Sequence, residues 1–223
     1  MCANKIIGGV DDAGRGCIIG PLVLSGISIA ESHINDLVDC GVRDSKTISP
    51  NNREKLYSRI KQIATKVISK HLAPEEIDKY VARKQKYTKL NYLEAITAGQ
   101  IINLLAVDLV YVDASDTVTE RFKQNIQNVV KYPVEIVSEH HADQHRPTVS
   151  AASIIAKVER DREINKLQKK YGDFGSGYPS DQKTIDFLKK WLEKNNSKPS
   201  FTRKTWKTWD RISNLNINQF NSK

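Results

Sequence analysis

The chain has 223 residues, with 35 Lys and Arg against 26 Asp and Glu, a net charge of +9 at neutral pH. A composition 39% hydrophobic and 27% charged suits a globular protein with room for a real core and excludes a disordered chain. The longest apolar runs, Ile18–Ile29 and Ile101–Val112, are interrupted and fall short of the roughly 18 residues a membrane span needs.

In chain order, alternation and β-branched content predict strands at Lys5–Val10 and Leu22–Ala30, then a helix at Ser32–Cys40. A helix at Pro50–Ala64, a strand at Lys66–Leu72 and helices at Pro74–Val81 and Thr88–Ala106 follow. The second half predicts a strand at Leu109–Asp113, a helix at Thr117–Val130 and a strand at Val134–Ser138. Helices at Val149–Tyr171 and Ser180–Asn195, and part of the remaining stretch, complete the pattern. Pro50, Pro74 and the Ser180-Asp181 pair read as helix starts. A hairpin followed by a β-α-β unit implies an α/β domain around one mixed sheet, flanked by helices. Gly172-Asp-Phe-Gly-Ser-Gly-Tyr-Pro179 is the strongest break, so a sheet domain over 1–175 and a helical, basic region over 176–223 are expected.

The charge is uneven. Arg53–Lys89 holds 11 basic and 4 acidic residues, and Lys183–Arg211 holds 9 and 3, while the rest is close to neutral. Solvated helix faces would account for this. So would two basic surfaces flanking an acidic centre, the arrangement a metal-dependent nuclease needs. Cys2, Cys17 and Cys40 show no CxxC spacing, and the first residues carry no secretory pattern, so a reducing, cytoplasmic setting is expected.

The acidic centre is legible at strand ends. Asp11-Asp12 follows the first strand, Asp113 ends the fourth, and Asp143 follows the fifth. Each alone reads as a cap or turn residue. Together, at the carboxyl ends of neighbouring strands, they would converge on the crevice where open α/β sheets bind ligands. Their hard oxygens would select Mg²⁺ or Mn²⁺, and two such ions could serve phosphodiester hydrolysis. Adjacent strand residues face opposite sides, so Asp11 and Asp12 share one site only if the strand breaks there, as Gly14 and Gly16 suggest. His140, His141 and His145 match no zinc motif and read as loop histidines.

Gly9-Val10-Asp11-Asp12-Ala13-Gly14-Arg15-Gly16 resembles the signature of the type 2 ribonucleases H (ribonuclease HII). Asp44-Ser45-Lys46, Glu139-His140-His141-Ala142-Asp143, Val149–Lys157, Arg160-Asp161-Arg162 and Gly172–Asp181 match that family in order, over roughly residues 6 to 211. The Gly-Ser-Gly-Tyr-Pro block resembles the archaeal single-chain enzymes and the eukaryotic catalytic subunit more than the bacterial form, and the chain as a whole is more similar to the archaeal single-chain form. The resemblance implies a ribonuclease H-like sheet, cleavage of RNA in RNA–DNA hybrids, and incision 5′ of a single ribonucleotide in duplex DNA, leaving 3′-hydroxyl and 5′-phosphate ends. It also implies that Asp11, Asp12, Asp113 and Asp143 are the catalytic metal ligands. Gly14, Arg15 and Gly16 would read the ribose 2′-hydroxyl, Tyr178 would stack near that ribose, and Lys46 and Lys157 would touch phosphates.

Two residues depart from the family pattern: Asp12 stands where Glu is usual, and His141 where Lys is usual. The shorter Asp12 raises the alternative of a catalytically weakened, hybrid-binding protein. Arg160 and Asp161 read as a paired structural couple on the helix. Arg203-Lys204-Thr-Trp206-Lys207-Thr-Trp209 reads equally as a stacking surface or as a helix packing its tryptophans. Asn214, Ile217 and Phe220 have the spacing of a sliding-clamp-binding peptide.

Overall fold

The computed structural model describes residues 5–42 and 48–213. Five strands form one mixed sheet: β1 (Ile6–Ala13), β2 (Leu22–Ala30), β3 (Lys66–Leu72), β4 (Leu109–Asp113) and β5 (Glu135–Glu139), in the order β3-β2-β1-β4-β5. β1–β2 and β2–β3 run antiparallel; β1–β4 and β4–β5 run parallel. The expected hairpin and later β-α-β unit are both present.

The helices are α1 (Ile34–Asp39), α2 (Pro50–Ile63), α3 (Pro74–Val81), α4 (Leu90–Leu105), α5 (Thr119–Gln127), α6 (Pro147–Tyr171) and α7 (Gln182–Asn195). Ser49 caps α2 by accepting from Asn52 N, and Asp181 caps α7 by accepting from Lys183 N. One face of the sheet packs against α4, where Leu93, Ala98 and Ile101 meet Val10, Leu24 and Val112. The other packs against α1, α2 and α6, where Leu37, Ile60 and Ile154 meet Ile27 and Ile29. Among the described residues, no helix is long and apolar enough to cross a membrane.

Two local choices position the site. A Cβ on Gly9 would lie 2.2 Å from the carbonyl carbon of Thr148, so only glycine lets the first turn of α6 rest directly on β1. The start of α6 is correspondingly small-chained: Ser150, Ala151, Ala152 and Ser153 are all buried. The C-terminal region shares a core with the N-terminal half. Phe174, Ile185, Leu188, Phe201 and Trp209 pack with Ile18 and Ile19, from the β1–β2 connection, and with Ile164 of α6. Trp209 is 1% exposed, and its Nε1 donates to Arg203 O at 3.1 Å.

Candidate active site

β1 and β4 run side by side, their pairing reaching Val10 opposite Val112, and Asp11 and Asp113 follow at the same sheet end. Asp113 in turn pairs with Glu139 at the end of β5, and the short helical turn Ala142–Gln144 beyond it carries Asp143. The break expected at Asp11-Asp12 is absent. The ladder with β2 continues through Asp11↔Ser25 and Asp12↔Leu24 to Ala13↔Val23 and ends only before Gly14, whose φ is 87°. Pairing with β2 holds the backbone extended, so the two carboxylates alternate. Asp11 accepts from Ser153 of α6 and from the Asp12 N–H at 2.7 Å. Asp12 accepts from Ser115 Oγ at 3.4 Å and lies in the fields of Arg15 and Arg203.

Opposite faces do not separate the pair electrically, because both feel Asp113 beyond the strand end. Burial, then repulsion by Asp12 and Asp113, raises the Asp11 carboxyl well above its ordinary range. Burial lifts Asp12 to about 6 against the pull of Arg15. Asp113 is raised by burial and by Asp143, although Ala142 N donates to its Oδ1 at 2.9 Å. Asp143 itself is 8% exposed. Among the described residues, no three His, Cys, Asp or Glu side chains stand close enough to hold an ion as they are placed. The donor set nonetheless fits a hard divalent cation: four carboxylates, all oxygen, whose mutual repulsion a positive charge would cancel. The histidines diverge. His145 pairs with Glu139 at 2.9 Å, His140 Nδ1 lies 3.3 Å from Ala114 O, and His141 turns left-handed at φ 58°.

The loop after β1 is held from three sides. Gly177 O accepts from Ile18 N (2.8 Å) and Ile19 N (3.1 Å). Arg203, fully buried, donates Nη2 to Gly14 O at 2.6 Å and Nη1 to Arg15 O, while its own backbone N donates to Ile18 O at 2.9 Å. The Tyr178 ring closes over Gly16, where a Cβ would lie 3.9 Å from it. The Arg160 guanidinium lies 4.8 Å from the ring centroid and donates to Ser176 O at 2.7 Å. Thus Gly14, Arg15, Gly16 and Tyr178 come together, as their motifs suggest. Asp161 pairs with Arg53 at 3.3 Å and Arg160 at 3.6 Å, half-exposed. Lys157 sits half-buried on α6. Lys46 lies outside the described residues, as do Asn214, Ile217 and Phe220.

Two residues that the sequence reading passed over complete the loop. One is Arg203, which the sequence placed in a run read equally as a stacking surface or a helix packing its tryptophans, with no link to the glycine loop. The other is Glu94, which lies wholly buried on α4 and accepts from Arg15 Nε at 2.8 Å, while Asn91 accepts from Arg15 Nη2 at 2.7 Å. A carboxylate on the buried face of an otherwise apolar helix is a signal that periodicity could have flagged. Burial, reinforced by Asp12, pushes Glu94 up to about 8 despite Arg15. Between its ordinary 4.5 and about 8 the folded protein keeps a proton that the unfolded chain has lost. The stability tied to Glu94 is therefore complete below the lower value and lost as pH rises through the upper. Glu94→Gln is expected to remove that decline, a difference on the order of a few kcal/mol by pH 8. Denaturant unfolding of both proteins at pH 5 and pH 8 measures it; parallel pH profiles would refute it.

A family model described as Ribonuclease HII matches residues 8–209. The Ribonuclease HII of Pyrococcus furiosus is 44% identical over 208 residues, covering 92% of this chain and 90% of that protein. The solved ribonuclease H2 of Pyrococcus horikoshii OT3 superposes with a TM-score of 0.86 at 42% identity, covering 94% of this chain and 98% of that one. A solved PCNA:RNase HII complex from Archaeoglobus fulgidus gives 0.83 at 39%, covering 92% and 96%.

Proposed function

The chain belongs to the ribonuclease HII family, and from that membership we propose that its carboxylate edge and glycine loop form one ribonucleotide-selective cleavage site. The protein is a metal-dependent endoribonuclease that acts on RNA–DNA hybrids. The finer reading is that it also incises 5′ of a single ribonucleotide in duplex DNA, leaving 3′-hydroxyl and 5′-phosphate ends. The observation that carries it is the enclosure of Gly14-Arg15-Gly16 between Arg203 and Tyr178, directly after the two aspartates of β1.

In this reading Asp11, Asp12, Asp113 and Asp143 hold two Mg²⁺ or Mn²⁺ ions, whose chemistry is to activate water and stabilise the leaving oxygen. The chain's own groups do the recognition. The loop presents its backbone to the ribose 2′-hydroxyl, the group that separates RNA from DNA. Tyr178, fixed against Arg160, faces that ribose, and Lys157 and Lys46 take phosphates. Residues 176–223 act as the nucleic-acid-contacting region. A reducing, cytoplasmic setting accompanies the proposal: Cys17 and Cys40 are both free and buried.

The test offers three duplexes, one with a single ribonucleotide, one all-DNA and one RNA–DNA hybrid, each with Mg²⁺, Mn²⁺ or chelator. Cleavage of the first and third alone, abolished by chelator, is expected; cutting of the all-DNA duplex overturns the selectivity. Asp12 is one methylene shorter than the family's Glu, and Asp12→Glu is expected to raise turnover severalfold at limiting metal. Hybrid binding without cleavage by the unmodified protein at any metal concentration would favour the weakened alternative instead.

A second partner has its own support. Asn214, Ile217 and Phe220 keep a clamp-binding spacing, and the Archaeoglobus fulgidus relative was solved with PCNA. We propose that residues 212–223 engage a sliding clamp; retention on immobilised clamp that survives their deletion would exclude this.

A further inference from the structure

The two basic stretches of the sequence meet in one groove. Its walls come from the turn before α4, at Lys86, Tyr87 and Lys89, and from Trp206 and Lys207 near the C-terminus, enclosing a cavity of about 600 Å³. Asn91, in its lining, accepts from the Arg15 guanidinium that Glu94 also holds, so the groove adjoins the glycine loop. The far wall is fixed rather than loose. Asp78 of α3 accepts from Lys204 N at 2.8 Å and Thr205 N at 3.0 Å, and Arg203 supports the Trp206 ring at 4.8 Å.

The lining has the chemistry of a polyanion site. Lys86, Lys89 and Lys207 are exposed, and no carboxylate among the described residues pairs with them. The one acidic residue in the lining, Asp116, is already neutralised by Arg121. Tyr87 is 58% exposed, with Arg121 4.8 Å from its ring and Lys86 5.5 Å. An exposed ring between cations offers a flat face to a sugar or base while its neighbours take phosphate. A protein partner would leave three unpaired ammonium groups to desolvate.

We propose that this groove is a second duplex contact, which takes the sugar-phosphate backbone of a strand flanking the cleaved junction. Lys86, Lys89 and Lys207 hold its phosphates, and Tyr87 and Trp206 hold its sugars. The inference rests on the functional reading above for the identity of the nucleic acid. It adds that affinity and cleavage are physically divided: the carboxylate edge sets the rate, and the groove sets the grip.

The experiment compares the full-length protein with the triple variant Lys86→Ala, Lys89→Ala, Lys207→Ala, and with Tyr87→Ala. Binding to RNA–DNA hybrid is measured in chelator over a range of salt, and turnover is measured with Mg²⁺ at saturating substrate. The triple variant is expected to bind at least tenfold more weakly at low salt. Its slope of log affinity against log salt should be shallower by about 3, near 0.9 for each lost phosphate contact. Turnover at saturation should be unchanged. Tyr87→Ala should weaken binding with the slope unaltered. Shortening the duplex on the side that reaches the groove should erase the difference between the triple variant and the parent. An unchanged salt slope overturns the groove while leaving the cleavage reading intact. A turnover that falls in step with affinity on every duplex also overturns it, since the groove would then belong to the cleavage site. A parent protein that neither binds nor cuts the hybrid sinks both readings.

Discussion

Asp113→Asn is expected to lower the cleavage rate by about three orders of magnitude and leave the melting temperature unchanged or higher. The loss follows from the donor set: a neutral amide supplies no negative charge to a divalent cation, and metal assistance is worth several kcal/mol in such reactions. The gain in stability follows from the shifts. Burial and the Asp143 carboxylate both disfavour ionised Asp113 in the folded protein, while the unfolded chain ionises freely. Above the ordinary carboxylate range that difference costs stability, and a neutral side chain removes it. Asparagine keeps an oxygen for the Ala142 N–H, so the turn carrying Asp143 stays attached. Single-turnover cleavage and a thermal melt on the same preparation decide the matter. Full activity would remove Asp113 from the metal site, whereas a large fall in melting temperature would recast it as structural.

Arg203→Ala should be the most destabilising of the substitutions near the site, by about 3–5 kcal/mol. Three features set that scale. The guanidinium is fully buried, it is the partner of the Gly14 and Arg15 carbonyls, and its Nη2 lies 3.0 Å from Cys17 Sγ. Its removal takes the guanidinium from the Arg15 carbonyl, leaves Gly14 O only its contacts from Cys17, and opens a cavity between the glycine loop and the Trp206 ring. For a chain of this size, the melting temperature would fall on the order of 10 °C. Arg203→Lys separates positioning from folding. An ammonium keeps the charge but not the fork that reaches two successive carbonyls. That variant should fold, bind the hybrid and lose its preference for ribonucleotide over deoxyribonucleotide at the junction. If Arg203→Lys discriminated as the parent does, the guanidinium would be a packing element with no hold on recognition.

The sequence was most legible where one element decides one thing. Alternation and β-branched content located all five strands to within three residues at either end, both the central three and the edge strands β3 and β5. The pattern failed at Asp11-Asp12, where the glycines argued for an early break and the ladder with β2 carried on to Ala13. That Asp11, Asp113 and Asp143 lie toward one end of the sheet could be read from strand ends, since parallel neighbours deliver their carboxyl ends to one side. Glu94 and Arg203 could not be read that way. Their roles come from contacts spanning 79 and 188 positions, between a helix interior, a loop and a C-terminal turn. Likewise, the cation-and-indole run near the C-terminus allowed two interpretations. Tertiary structure divides them between neighbours: Trp209 packs, while Trp206 borders the groove.

That span of 188 positions between Arg203 and the carbonyl of Arg15 also sets a schedule. As the chain leaves the ribosome, the strands and helices that carry the carboxylates are made first, and they can pair and pack with what is already there. The glycine loop has to wait, because the groups that fix it belong to residues 177, 178 and 203. Contacts this distant form late in folding. A nascent chain can therefore assemble its acidic edge before its glycine loop is fixed, and the loop is held only once residue 203 is in place.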